Sequence, residues 1–95
     1  MADLARGTNR MVYLITYAQA DIVRFPNPLT FANAILQSCN TCFGPDKVEK
    51  WVCAKERHAD GGMHFHMALI FTTQRRWSQL KATLQSAHNI GNLAE

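Results

Sequence analysis

Two strand-like segments, Val48 to Arg57 and Met63 to Thr72, flank His58-Ala59-Asp60-Gly61-Gly62, and no other part of the sequence restricts the fold as tightly. A turn rich in glycine and aspartate between runs of β-formers marks an antiparallel hairpin. Side chains alternate along a strand, so Phe65, Met67, Leu69 and Phe71 form one strongly apolar face while His64 and His66 project together from the other. The core therefore lies under Phe65.

The rest of the chain supplies what covers that face. Residues 1–10 are a polar lead, read as a flexible segment, and Met11-Val12-Tyr13-Leu14-Ile15-Thr16-Tyr17 is the β-branched and aromatic run of a buried strand. Asn27 followed by Pro28 fits a helix start, with an N-cap and then proline at the first helical position. Phe31, Ala32, Ile35 and Leu36 give this helix an apolar stripe before Gly44-Pro45 stops it. Trp77, Leu80, Leu84 and Ala87 recur at helical spacing and predict a second helix from about Gln74 to Ala87. The order strand, helix, hairpin, helix predicts an α+β fold with helices packed on an antiparallel sheet. Ninety-five residues make one small domain, with no repeat, low-complexity segment or internal linker.

Composition narrows the setting. Hydrophobic content of 47% and charged content of 18% describe a folded chain, and the net charge of +3 suits an acidic partner such as nucleic acid, although a balanced solvated surface gives the same count. The opening residues hold no apolar run resembling a signal peptide, and no stretch approaches the roughly 20 apolar residues of a membrane span. Three cysteines, an odd number, complete the picture of a soluble, non-secreted protein of a reducing compartment. Cys39-Asn-Thr-Cys42 has no second pair to complete a zinc site, so free thiols are expected.

Chemistry concentrates at the hairpin. His64 and His66, with Glu56 eight residues upstream of the first, can hold one divalent ion with coordination positions left open, as metal-assisted chemistry on a phosphate requires. A His-x-His alone is weak ground for a metal site; an in-phase carboxylate across a glycine turn strengthens it. A two-residue Asp60-Gly61 loop would put Glu56 on the wrong face. The expectation is instead a three-residue Asp60-Gly61-Gly62 loop with Gly62 left-handed, pairing Glu56 with His66 and His58 with His64. On that register Trp51 pairs with Phe71 and Cys53 with Leu69. His58 is a further ligand, a phosphate contact or a solvated residue near the tip. Lys55 and Arg57 are phosphate-backbone contacts or a solvated edge. Beyond Glu56 and His66 the site face continues as Val52, Ala54, Ala68 and Ile70, an apolar strip that something should cover, self-association included.

Glu56-Arg-His-Ala-Asp-Gly-Gly-Met-His64-Phe-His66-Met-Ala-Leu-Ile-Phe71 resembles the metal-binding segment of HUH endonucleases. These are the Rep initiators of rolling-circle single-stranded DNA viruses, geminiviruses especially, and of related eukaryotic mobile elements. Tyr13-Leu14-Ile15-Thr16-Tyr17-Ala18-Gln19 looks like the first Rep motif, with Ala18 where the geminiviral form commonly has proline. Val48-Glu-Lys-Trp-Val-Cys53 resembles the strand that leads to the ligand glutamate, and the likeness covers roughly residues 11 to 90. The resemblance implies that Glu56, His64 and His66 bind Mn²⁺ or Mg²⁺ at a phosphate of single-stranded DNA, which a tyrosine attacks to leave a phosphotyrosine. It also implies that Thr16 and Tyr17 help position DNA, and that the setting is the nucleus of a eukaryotic host. The family's tyrosine helix would follow beyond Glu95, so residues 11–95 correspond to a partial Rep-type nuclease domain without catalytic tyrosine or helicase, expected to bind metal and DNA without nicking. The alternatives are a non-catalytic nucleic-acid or protein-binding module, and an unrelated zinc or iron site.

Overall fold

The computed structural model describes residues 9–59, 61–91, 93 and 94. Along them run β1 (Asn9–Tyr17), α1 (Pro28–Phe43), β2 (Val48–Arg57), β3 (Met63–Arg76), α2 (Trp77–His88) and a short β4 (Leu93–Ala94). The strands form one sheet in the order β2-β3-β1-β4, with every neighbouring pair antiparallel. This is an α+β fold, and its succession of elements is that of a split βαβ, ferredoxin-like arrangement. β3, which carries both histidines of the His-x-His, is flanked on both sides, so each neighbouring strand can deliver a side chain to it.

Local chemistry explains the first helix. Asn27 Oδ1 accepts from Thr30 N at 3.0 Å, the Thr30 hydroxyl receives the Asn27 N–H at 3.4 Å, and Pro28 opens the helix behind them. Gly44 at φ +95° ends it, a conformation that costs glycine little. Along α1, Phe31, Ala32, Ile35 and Cys39 turn inward, and along α2 Trp77, Leu80 and Leu84 do so. Both helices meet the same face of the sheet, where Tyr13, Ile15, Tyr17, Phe65, Met67, Leu69 and Phe71 are buried. Phe31 stacks on Phe65 with ring centroids 5.3 Å apart and on Tyr17 at the same distance, which makes an aromatic column at the centre. The three cysteines are free thiols, and burial pushes the Cys39 thiol up to about 12, which leaves it inert.

Because both helices cover one face, the opposite face is bare: Leu14 is 68% exposed and Val52 65%. The apolar strip expected on the site face is therefore present and uncovered among the described residues.

Several boundaries and one register differ from expectation. β1 begins at Asn9 rather than Met11, and the rest of the expected polar lead, residues 1–8, lies outside the described residues. β3 continues to Arg76 because Arg75 and Arg76 pair with Arg10 and Asn9, and this pairing delays α2 to Trp77. β4 is too short to leave a periodic signature. The hairpin closes between His58 and Gly62, with His58 N donating to Gly62 O at 3.0 Å and Gly61 N to His58 O at 2.9 Å. Gly61, at φ +86°, takes the left-handed position expected of Gly62. Glu56 consequently pairs with His64, Ala54 with His66, Trp51 with Leu69 and Cys53 with Met67. The slip is two residues, so the side chains from Lys50 to Arg57 keep their predicted faces. Tertiary packing accounts for it: Ala20 N donates to Met63 O at 2.8 Å, and the Gln19 side chain lies so close to Gly62 that a Cβ there would meet its Oε1 at 2.7 Å.

Candidate metal centre

Three strands deliver the centre. His66 sits on β3, with Ala54 of β2 opposite it on one side and Thr16 of β1 on the other. Alanine at position 54 leaves room, and Glu56, one pleat further along β2, leans across it so that Oε1 lies 3.0 Å from His66 Nε2. His58, two residues beyond Glu56, places its own Nε2 2.8 Å from the same oxygen. These two hydrogen bonds, the one from His58 first, hold the exposed Glu56 carboxyl below the usual glutamate range.

Glu56, His58 and His66 can each present a ligand atom, and these atoms lie within 4.8 Å of one another. Donors about 3 Å apart match neighbouring ligands around an octahedral ion with bonds near 2.1 Å. One carboxylate and two imidazoles suit a divalent transition metal and leave positions for water or a phosphate oxygen. The donor set thus fits a divalent ion.

The sequence led to Glu56, His64 and His66, whereas the structure joins Glu56 to His66 and His58. His64, 7% exposed, lies beneath His58 with ring centroids 3.5 Å apart and planes 4° from parallel, so it backs the cluster instead of closing it. His58, read from sequence as one of three things, is the third residue able to present a ligand atom to the cluster; the signal was its period-2 spacing from Glu56.

The other residues read as nucleic-acid contacts are dispersed. Thr16 Oγ1 lies 3.2 Å from His66 Nδ1, behind the ring. Tyr17 is buried between Phe31 and Phe25 on the helix-covered face, and its hydroxyl accepts from Asp21 N. Strand alternation sends Lys55 and Arg57 to the face opposite Glu56, and Lys55 Nζ donates to Pro26 O at 3.3 Å. Beside His66 the bare face opens into a groove of about 370 Å³ walled by Leu14, Thr16, Val52, Ala54 and Ala68. No described helix is long and apolar enough to cross a membrane. None of the family models, curated proteins or solved structures compared with this chain matches it.

Proposed function

We propose that this chain is a Rep-type, HUH-like metal-binding domain that holds a phosphodiester of single-stranded DNA in the nucleus of a eukaryotic host and does not nick it unaided. The observation that carries the reading is the meeting of the Glu56 carboxylate with His66 Nε2 at 3.0 Å on the uncovered face of an antiparallel sheet. The motif resemblance around Glu56, His64 and His66 supports it from the sequence side. A divalent ion such as Mn²⁺ or Mg²⁺ bound there supplies Lewis-acid polarisation of a phosphate oxygen. Glu56 supplies the anionic ligand and His66 and His58 the neutral nitrogens. The adjoining apolar groove offers the flanking sugar and base an uncharged wall.

Nicking through a phosphotyrosine needs a tyrosine hydroxyl at the phosphate, and this chain has two tyrosines. Tyr13 is 1% exposed and donates to Arg75 O at 2.6 Å; Tyr17 is 6% exposed. Both lie across the sheet from Glu56. The expected result is therefore Mn²⁺ binding by calorimetry, Mn²⁺-dependent retention of a fluorescent single-stranded oligonucleotide, and no cleavage product. Cleavage that Tyr17→Phe abolishes would overturn the proposal, as would a chain that binds no divalent ion.

A second reading is favoured by the exposed row of Val12, Leu14 and Val52: a non-catalytic module that docks another chain on the bare face. A stable dimer whose oligonucleotide binding is indifferent to Mn²⁺ would favour it.

A further inference from the structure

We propose that Thr16 is a positioning residue of this centre, whose hydroxyl holds the His66 ring so that Nε2 faces Glu56 in both the metal-free and the metal-loaded protein. The inference rests on reading Glu56 and His66 as metal ligands. Thr16 stands directly opposite His66 in the pairing of β1 with β3, and its Oγ1 lies 3.2 Å from Nδ1. On the other side of the ring, Nε2 lies 3.0 Å from Glu56 Oε1. The imidazole is thus held at both nitrogens, one from each neighbouring strand.

The protons decide what Thr16 must be. An ionised carboxylate only accepts, so in the metal-free protein a neutral His66 ring carries its proton on Nε2, and Nδ1 accepts from the Thr16 hydroxyl. A ring that ligates through Nε2 must keep its proton on Nδ1; the ring stays neutral, and the proton relocates by exchange with water. Nδ1 then donates to the Thr16 oxygen. A hydroxyl serves both states because it donates and accepts, whereas valine, of nearly the same shape, does neither. β-branching adds a stiff χ1, which keeps the hydroxyl aimed across the strand pair.

Removal of such outer-shell partners typically weakens metal affinity by about 10–100-fold. Thr16→Val should show that loss in Mn²⁺ calorimetry, with Thr16→Ala as a second deletion of the hydroxyl, while Thr16→Ser stays close to wild type. A second readout needs no metal: long-range ¹H–¹⁵N correlation at mildly alkaline pH should find His66 as the Nε2–H tautomer that Glu56 fixes in every variant, with the Nδ1 resonance alike in wild type and Thr16→Ser and moved downfield in Thr16→Val, where no hydroxyl donates to it. Unchanged affinity in folded Thr16→Val and Thr16→Ala, or an unchanged Nδ1 resonance, would overturn the proposal. Wild-type protein that binds no Mn²⁺ would overturn the ligand reading and with it the metal-loaded half of the proposal. The Nδ1 resonance would still decide whether Thr16 holds the ring, so the two failures are distinguishable.

Discussion

Glu56 is where pH acts on this site. One of its oxygens receives both imidazoles, and those bonds lower its folded-state pKa below the value it has in the unfolded chain. A lowered carboxyl stabilises the fold at pH above the ordinary glutamate range and loses that contribution as pH falls through the lowered folded value. Because the carboxyl is exposed, the effect shows best in its own titration: a ¹³C-detected midpoint for Glu56 below that of an ordinary glutamate, moving up toward it in His58→Ala. Metal binding adds a second residue-level expectation. His58 shares the cluster and His64 lies behind it, so His58→Ala should cost Mn²⁺ affinity at least as much as His64→Ala does. Calorimetry on the two variants checks this; a silent His58→Ala beside a non-binding His64→Ala would return the third-ligand position to His64.

At the scale of elements, α1 and the hairpin teach opposite lessons. The start of α1 was legible because an Asn-Pro pair and a helix N-terminus are matched by local chemistry alone, and the structure places the cap at Asn27. Asn27→Ala should lower stability by about 1 kcal/mol in urea unfolding, with Asn27→Gly costing less. The hairpin's faces were legible from alternation, but its register was not, because either Gly61 or Gly62 can supply the left-handed residue of a three-residue loop. Gln19 and Ala20, in the turn that follows β1, decide between them, and that contact carries no local signal. The choice is testable: Gly61→Ala forces alanine to φ +86° with nothing within 4 Å of its Cβ, so the cost is backbone strain of about 1–2 kcal/mol. Gly61→Asn should recover part of it, because asparagine tolerates the left-handed region. The same limit explains why Glu56 and His66 could be placed on one face from the sequence while Thr16 beside His66 could not: a partner across β1 and β3 exists only once the sheet order is known.

For the whole molecule, the decisive asymmetry is two helices on one face of the sheet and none described on the other. The covered face is where stability resides. Phe65, fully buried in the aromatic column with Phe31 and Tyr17, should cost about 3–5 kcal/mol on Phe65→Ala, enough to threaten a domain of this size. The bare face should behave in the reverse manner. Leu14 and Val52 flank Ala68 from β1 and β2, and their exposed side chains bury little in the folded chain, so lysine at both positions should leave urea stability within about 0.5 kcal/mol of wild type. What the double substitution should change is association. An exposed apolar row is a contact surface in waiting, and two lysines per copy would set charges of one sign against each other in a face-to-face pair. Light scattering across a concentration series should show self-association of the wild-type chain and a monomer for Leu14→Lys/Val52→Lys, with Mn²⁺ affinity at Glu56 and His66 unchanged. A variant that still self-associates would place the contact elsewhere, and the exposed β2 edge beside Trp51 would be the next surface to substitute.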